Sequence, residues 1–509
     1  MNSGHLRPLH LRPSRNSGTV RTRRALQQGR SRMTYITPNH PVIWDMVDQK
    51  RQSFIDLSDR VWTTPETCYM ETESAAAHRD MLEKQGFRIT ENVADIPTAL
   101  IGEAGVGGPV IAFLGEYDAL AGLSQKAGLT SHDPVVTGGN GHGCGHNLLG
   151  SASLLAATAL KDWLQQTGTP GRVRYYGCPA EEGGAAKAFM VRSGAFEDVD
   201  IAISWHPSNF AGVQRETSLA NCRIDFEFFG RAAHAAAVPE LGRSALDAVE
   251  LMNVGVNYMR EHMPSDYRIH YAILDAGGIS PNVVQAYAKV RYVVRATELG
   301  GLLTLIERVK KVAEGAALMT ETRMESTILA GVSNIIVNTP LMDAMQGIWE
   351  SLGPPAFDSD DIAFAEKIRA TLTPEDIAAS WSQERLDPRD IPLADFILPP
   401  HNEIRQMGGS TDVGDVSWVV PTVQAYGPTL AVGTQLHTWQ VVAQGQSALA
   451  HRGMVATAKV MAATGLAALE NTDLRDAAWA DLRRRRKGQD YVSPIPDGAA
   501  PPVAAMTAR

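Results

Sequence analysis

The segment from Gly141 to Asn147 carries three potential metal ligands separated by glycines. Its His142, Cys144 and His146 alternate along the chain, so in an extended conformation their side chains project to one side. Thiolate and imidazole groups are ligands that zinc prefers, and glycine allows the tight backbone paths that bring them together. The pattern therefore favours a metal site. Cys144 as a catalytic nucleophile, and a glycine-rich loop with incidental histidines, remain as alternatives.

Adjacent carboxylates at Glu181 and Glu182 suit hydrolytic chemistry at such a site. One carboxylate of the pair can bind a metal while the other accepts the proton of the attacking water. Two isolated histidines, His206 and His437, are further candidate ligands. Alone, a Glu-Glu pair is usually solvated and a single histidine is usually structural. The combination favours a composite metal site, because all these residues follow predicted strands or lie in loops, where α/β enzymes assemble their sites.

Predicted strands explain how these residues could meet. Apolar runs at 109–114, 172–177 and 199–205 indicate buried, parallel strands, and 147–166 reads as a helix. Strand, helix, strand at this spacing predicts an α/β sheet, in which sites form beyond the carboxyl ends of the strands. Each run ends in polar residues, which are in turn Glu116 with Asp118, the Glu181–Glu182 pair, and His206.

The pattern changes near residue 216. Apolar residues alternate over 222–229, and the order strand, helix, strand, strand, helix, strand through 216–331 predicts an inserted α+β domain. The remaining parts are expected to be a catalytic domain in two pieces, an acidic surface insertion, and two disordered ends. Their expected bounds are 41–215 and 332–480 for the catalytic pieces, 355–400 for the insertion, and 1–40 and 481–509 for the ends.

Charge and composition exclude several classes of protein. The 509 residues carry a net charge of −9, although residues 1–32 contain eight arginines and no acid. The body is therefore acidic, which disfavours binding to nucleic acid phosphates. The arginine-rich start is interrupted by proline and glycine, which favours a disordered leader, or sequence ahead of a start at Met33, over a transit peptide. We expect a cytoplasmic protein with no membrane partner, since no apolar stretch is long enough and four cysteines make no disulfide framework.

Seven separated motifs keep an order that resembles the di-metal aminoacylase and carboxypeptidase family of metallopeptidases. They are HGCGHN, PAEEGG, WHP, GRAAHAA, GGISPN, GGSTDVGD and LHTWQ. The resemblance covers about residues 40–475. It implies an α/β fold, with a mixed-sheet catalytic domain and an inserted lid domain that mediates dimerisation.

The resemblance also implies roles for individual residues. It makes Glu181 the catalytic acid and base, and it brings His234 of the lid to the other subunit's site as a donor to the oxyanion. Asn282 would bind substrate, and Arg295 would bind its carboxylate, with a surface salt bridge as the alternative role. Ligands of two divalent ions, zinc or manganese, would be Cys144, His146, Glu182, His206 and His437. Residues supporting the site from behind these ligands would be Glu116, Asp118, His142 and Asp412.

The implied activity is hydrolysis of an amide whose amine half is an amino acid. p-Aminobenzoyl-glutamate is the expected substrate, and other N-acyl amino acids or small peptides are the alternative. We expect a homodimer, or a heteromer with a homologous subunit. The chain departs from many relatives at Asn147, where they carry Asp, and at Thr411, where they carry Glu. A cysteine hydrolase would leave both glutamates and the later histidines unexplained, and a non-catalytic subunit would not need the complete set of ligands.

Overall fold

The computed structural model describes residues 37–401 and 403–507 of the chain. The sequence predicts a disordered leader over 1–40. Residues 1–36 of that leader lie outside the described residues. Its boundary needs one correction, because His40 begins the first helix and is buried.

The described helices and strands are numbered in chain order. The strands are β1 Arg88–Glu91, β2 Leu100–Val106, β3 Val110–Glu116, β4 Gly171–Cys178, β5 Ile201–Ser208, β6 Gly212–Val213, β7 Glu216–Thr217, β8 Ala220–Phe229, β9 Arg268–Asp275, β10 Tyr287–Ala296, β11 Arg323–Val332, β12 Arg405–Gln406 and β13 Thr422–Pro428. The helices are α1 His40–Trp62, α2 Thr72–Lys84, α3 His146–Thr167, α4 Ala186–Arg192, α5 Ala245–Met259, α6 Leu299–Thr320, α7 Thr339–Leu352, α8 Ser359–Arg369, α9 Pro374–Gln383, α10 Val413–Val419, α11 Trp439–Gln444, α12 Ala448–Glu470, α13 Thr472–Arg486 and α14 Val503–Thr507.

A mixed sheet of seven strands, in the order β1-β2-β4-β3-β5-β13-β6, forms the larger layer. Its four central strands, β4, β3, β5 and β13, run parallel, while the outer pairs are antiparallel. This confirms the predicted mixed α/β sheet. Parallel strands that are neighbours end at the same edge, so residues following β3, β4 and β5 are brought together there.

The central strand β3 is buried on both faces, which explains its continuous apolar sequence. Ile111 and Phe113 pack into the core formed with α1, α3 and α12. Val110, Ala112 and Leu114 point the other way, into a core shared with α4 and α10. Each fully buried large aliphatic or aromatic side chain contributes about 1.5–3 kcal/mol. The strand is thereby fixed where it delivers Glu116 to the sheet edge.

A second, antiparallel sheet has the order β11-β8-β10-β9. The helices α5 and α6 pack on one face of it around a separate apolar core. Its elements follow the strand–helix–strand–strand–helix–strand order expected within 216–331. The opposite face carries polar and charged side chains, and its β10 alternates buried and half-exposed residues. We call this second sheet with its two helices the lid.

Two segments differ from expectation. The acidic stretch 355–400 contains α8 and α9, and it buries Trp381 against Phe210, so it packs on the body of the protein. The expected disorder of 481–509 also differs from the structure, because α13 runs to Arg486 and Ile495 beyond it is buried. The acidic, proline-rich composition of 355–400 suggested a surface insertion, and the basic, proline- and alanine-rich tail suggested disorder. Buried apolar anchors, Trp381 and Ile495, instead pack both segments onto the protein. Within the described residues, no helix combines the length and apolar character needed to cross a membrane.

We predict that Ile495→Ala lowers the free energy of unfolding by about 2–4 kcal/mol, because Ile495 is only 1% exposed and joins the core around β3. The matched control is Val492→Ala, at a position 55% exposed, which should change stability by no more than about 0.5 kcal/mol. Chemical denaturation measures both. Equal stability of the two variants would contradict the packing of this tail.

Candidate metal centre

The candidate centre lies at the edge where the parallel strands end. Glu116 is the last residue of β3, and Asp118 follows it in the chain. The turn after β4 carries Glu181 and Glu182, and β5 carries His206 near its end. Strand pairing therefore brings together side chains that are far apart in sequence.

The glycine-rich segment reaches the same edge by close backbone packing. Gly141 pairs with Leu120 through two backbone hydrogen bonds of 3.0 Å. A Cβ at Gly141 would lie 2.2 Å from the carbonyl oxygen of Leu123, so only glycine fits. Gly145 has φ 77°, the left-handed conformation, directly before α3 begins at His146. These two glycines set the path of the ligand-bearing segment.

Five predicted ligands form two sets that share one thiol. Within each set, one candidate ligand atom per residue lies within 4.8 Å of the others. The first set is Cys144, His146 and His206, and the second is Cys144, Glu182 and His437. Cys144 Sγ lies 3.2 Å from His206 Nε2, and His437 Nε2 lies 3.4 Å from Glu182 Oε2. The arrangement suits two ions that share the Cys144 sulfur.

Hydrogen bonds from behind orient the histidines of the first set. His146 Nδ1 lies 2.8 Å from Asp118 Oδ1, and the other oxygen of Asp118 accepts from the backbone N of Glu182 at 2.9 Å. His206 Nδ1 lies 2.9 Å from the carbonyl oxygen of Pro207, which can only accept. Each ring therefore presents Nε2, with its lone pair, toward the ligand set.

Backbone strain accompanies the late histidine, His437. Its φ is +61°, which a non-glycine residue rarely adopts. Its backbone N donates to Gly143 O at 2.8 Å, which ties it to the glycine-rich segment. Such strain persists where the surrounding structure fixes it, and it is common at functional sites.

Buried polar atoms show that the residues present fit divalent metal ions. His146 Nε2 and Glu182 Oε1 are buried and lack a hydrogen-bond partner among the described residues. His146 Nε2 does lie 3.3 Å from Glu116 Oε2, but without the alignment of a hydrogen bond. An unsatisfied buried polar atom costs about 1–3 kcal/mol, so these atoms need a partner. Thiolate, imidazole and carboxylate together form a donor set for zinc or a similar ion.

The two adjacent carboxylates experience opposite electrostatic effects. Burial raises the pKa of Glu181 well above its usual range, and the nearby charges of Glu116 and Glu182 raise it further. Burial also raises the pKa of Glu182, but the hydrogen bond with His437 and the charges of His146 and His437 together outweigh burial and lower the pKa to about 2. One carboxylate is thereby suited to carrying a proton and the other to staying charged.

Lys187 is a buried cation at the site that sequence reasoning missed. It is 0% exposed, and its Nζ lies 2.6 Å from both Glu116 Oε1 and Asp412 Oδ1. Its backbone N donates to Asp412 Oδ2 at 2.9 Å. Burial opposes the charged amine, but Asp412 and Glu116 hold its pKa well above the usual value. The available signal was a lysine within the apolar run 185–191, since buried lysines require partners.

Glu71 is a second buried residue that sequence reasoning missed. It accepts hydrogen bonds from the backbone N of Tyr69 and of Ala180, both at 2.9 Å, and from Thr98 Oγ1 at 3.1 Å. Burial and the charge of Asp118 raise its pKa to about 8. Glu71 thus fixes Ala180, which has φ 57° and directly precedes the glutamate pair. No local sequence pattern identifies such a residue.

Of the remaining predicted site residues, the structure places Arg295 at a cavity beside the glutamate pair and His142, His234 and Asn282 away from that cavity. Arg295 donates to Ser410 Oγ at 3.1 Å and borders a cavity of about 1060 Å³ that also contacts the glutamate pair. His142 is buried, with Nε2 3.0 Å from Val61 O, and burial lowers its pKa to about 3. His234 and Asn282 are exposed, lie beside each other, and do not border that cavity.

A second cavity of about 460 Å³ opens over Cys144 and His206. Part of its wall comes from Ser380, Gln383 and Glu384. These residues belong to the acidic stretch that the sequence suggested was a surface insertion. That stretch therefore shapes the space beside the ligands.

Comparisons with known proteins agree with this geometry. Residues 112–395 match the family model described as Peptidase family M20/M25/M40. The chain is 47% identical over 468 residues to the subunit named B of the p-aminobenzoyl-glutamate hydrolase from Escherichia coli (strain K12), covering 90% of this chain and 97% of that protein.

Two solved structures share the fold. A putative aminohydrolase from methicillin-resistant Staphylococcus aureus is 14% identical, with a TM-score of 0.61 over 84% of this chain and 100% of that one. The Bacillus subtilis YXEP protein, described as a dinuclear metal-binding peptidase from the M20 family, is 18% identical, with a TM-score of 0.51 over 84% of this chain and 99% of that one.

Substitution should separate the roles of the two glutamates. If Glu181 is the general base, Glu181→Gln should keep its metal content while the hydrolysis rate falls about 10²–10⁴-fold. Glu182→Gln should lose metal, because a charged ligand is removed. Elemental analysis together with turnover measures both effects. Near wild-type turnover by Glu181→Gln would refute the assignment of the base.

Loss of the buried cation should destabilise the fold. Lys187→Met leaves Glu116 and Asp412 without their counter-charge, and we expect the free energy of unfolding to fall by about 3–5 kcal/mol. Lys126→Met is the control, since Lys126 pairs with Asp133 at 2.8 Å but is 50% exposed. This control should change stability by less than about 1 kcal/mol. Denaturant titrations that give equal, small losses would show that the buried pairs contribute little.

Proposed function

The chain belongs to peptidase family M20/M25/M40, and we propose that it hydrolyses p-aminobenzoyl-glutamate to p-aminobenzoate and glutamate. The observation that carries this proposal is the pair of ligand sets sharing Cys144 beside a cavity that Arg295 borders. The 47% identity to one subunit of a p-aminobenzoyl-glutamate hydrolase supports the choice of substrate. Other N-acyl amino acids are the alternative substrates.

The proposed cofactors are two divalent ions, zinc or manganese. Held at the two sets, such ions would supply Lewis acidity, which activates water toward an amide carbonyl and stabilises negative charge on its oxygen. The residues that would hold them are Cys144, His146, Glu182, His206 and His437.

Glu181 would move the proton during hydrolysis. It lies within 4.8 Å of His146 and Glu116, measured between candidate ligand atoms, and it borders both cavities. Its carboxylate would accept a proton from the attacking water and return it to the nitrogen of the leaving amine. A carboxyl whose pKa is raised by burial and neighbouring acids is suited to holding that proton between the two steps.

Arg295 would bind the α-carboxylate of the amine half. Its Nη1 donates to Ser410, which precedes Thr411 and Asp412 at the floor of the cavity. A guanidinium can bind a carboxylate through two parallel hydrogen bonds, which fixes both its position and its orientation. The scissile amide would then face the ligand sets.

A homodimer would bring His234 to the site of the other protomer. His234 Nδ1 accepts from the backbone N of Ala236 and Ala237, at 3.2 and 3.1 Å, so its proton is on the exposed Nε2. That N–H would donate to the developing oxyanion, and Asn282 beside it would contact substrate. The 47% identical relative is named as a subunit, which supports a heteromer as the alternative assembly.

A cytoplasmic location is proposed because Cys144 must stay reduced to bind metal.

The direct test of this function is hydrolysis by the purified protein. We expect metal-loaded enzyme to cleave p-aminobenzoyl-glutamate, chelator to abolish cleavage, and added zinc or manganese to restore it.

Amidation of the α-carboxylate should cost about 2–5 kcal/mol in transition-state binding, because Arg295 then lacks its partner. Arg295→Ala should therefore slow the acid strongly and the amide little. Preference of the wild-type enzyme for the amide would overturn the proposal.

Mixing two inactive variants tests the proposed role of the lid. A heterodimer of His234→Ala and Glu181→Gln contains one site with both residues intact, so some activity should return. Native mass spectrometry confirms that the heterodimer forms. Absence of activity in a proven heterodimer would contradict action across the interface.

A further inference from the structure

We propose that Arg268 binds a second carboxylate of the substrate, so that the site selects an amine half with an acidic side chain. This inference rests on the proposed function and adds a residue that determines specificity. The open face of the lid sheet, opposite α5 and α6, carries an imbalance of charge.

Charges are balanced over one part of this face. Arg291 of β10 donates two hydrogen bonds to Asp225 of β8, at 2.6 and 2.9 Å. Lys289 lies 3.0 Å from Asp225 and 3.7 Å from Glu227. Both cations therefore face carboxylates of the neighbouring strand, which is the ordinary arrangement for cross-strand pairs.

The balance ends at Arg295, four residues further along β10. Its partner on β8 is the neutral Asn221, and its partner on β9 is Arg268. Like charges directly opposite each other are destabilising in a sheet. A register shift between Lys289 and Val290 produces this pairing, since continuous pairing would place Ile269 opposite Arg295. The shift brings a second cation to the cavity.

Neither arginine has an anionic partner within the described part of the chain. Arg295 donates to the Ser410 hydroxyl, and Arg268 Nη1 donates to the backbone carbonyls of Ser265 and Tyr267. Asp266 also borders the cavity, but it forms no ion pair of 4.0 Å or less with them. Their acceptors within the described residues are neutral; Arg295 is half-buried and Arg268 is exposed to solvent.

Both arginines border the same cavity as Glu181, Glu182 and His437. Arg223, diagonal to Arg295 on β8, lies on this wall and donates to Gly183 O at 3.2 Å, which joins the lid to the turn after the glutamate pair. Directly opposed residues have Cβ atoms about 4.5–5.5 Å apart. Two guanidiniums extending from such positions can bind two carboxylates of one small molecule. Arg295 would take the α-carboxylate and Arg268 the carboxylate of the side chain.

The test compares p-aminobenzoyl-glutamate with p-aminobenzoyl-glutamine, which has the same shape but a neutral side chain. We expect wild-type kcat/KM to favour the glutamate compound by about 10- to 100-fold. Arg268→Gln should reduce kcat/KM for that compound by a similar factor and change the glutamine compound less than about threefold. Lys289→Gln, which removes a cation from the same face outside the cavity, is the control and should preserve the preference.

Failure of this inference is distinguishable from failure of the proposed function. If the wild-type enzyme cleaves both compounds equally well, or Arg268→Gln keeps the preference, the assignment of Arg268 is wrong while the hydrolytic function stands. If neither compound is cleaved, the proposed function fails. In that case, calorimetry with free glutamate and free glutamine tests Arg268 on the metal-loaded protein. Binding of glutamate that weakens in Arg268→Gln supports the inference. Equal binding of the two amino acids overturns it.

Discussion

Buried negative charge at the carboxyl edge of the parallel strands is the constraint on which the site depends. Three carboxylates there are at most 2% exposed: Glu116, Asp118 and Asp412. An ionised group removed from water must be paired or hydrogen-bonded, because isolated burial costs several kcal/mol. Lys187 pairs with Glu116 and Asp412, and His146 pairs with Asp118. The thiol of Cys144 and the carboxylate of Glu182 extend this negative region toward the cavity, where divalent ions would complete the compensation.

The same contacts that satisfy these charges also fix the positions of the ligands. Asp118 connects the ring of His146 to the backbone of Glu182, so residues from two different turns keep one relative position. Glu71 holds Ala180 in a left-handed conformation just before the glutamate pair. On the lid side of the 1060 Å³ cavity lie Arg268 and Arg295, which have no anionic partner among the described residues, and the glutamate pair also borders this cavity. In the proposed binding mode, an acyl amino acid would place its carboxylates toward these arginines and its amide toward the ligand sets.

The sequence predicted the parts of this arrangement that depend on local pattern. Apolar runs identified β3 and β5, and spaced motifs identified Cys144, with the other ligand candidates, as residues that meet at the strand ends. It did not predict Lys187 or Glu71, because their roles depend on partners distant in the chain. The opposition of Arg268 and Arg295 follows from a shift in strand register, which composition and periodicity do not encode. The stretch 355–400 resembles solvated surface in composition, yet a few anchors such as Trp381 pack it beside the cavity.

Cys144 belongs to both ligand sets, so one thiol is proposed to serve two ions. Titration of metal-free protein with Co²⁺, followed by thiolate-to-cobalt absorption, tests it directly, because only sulfur bound to cobalt produces that band. Sharing of the sulfur predicts that the absorption changes through about two equivalents of Co²⁺ and disappears in Cys144→Ser. An absorption that saturates at one equivalent, or that persists in Cys144→Ser, would contradict the account.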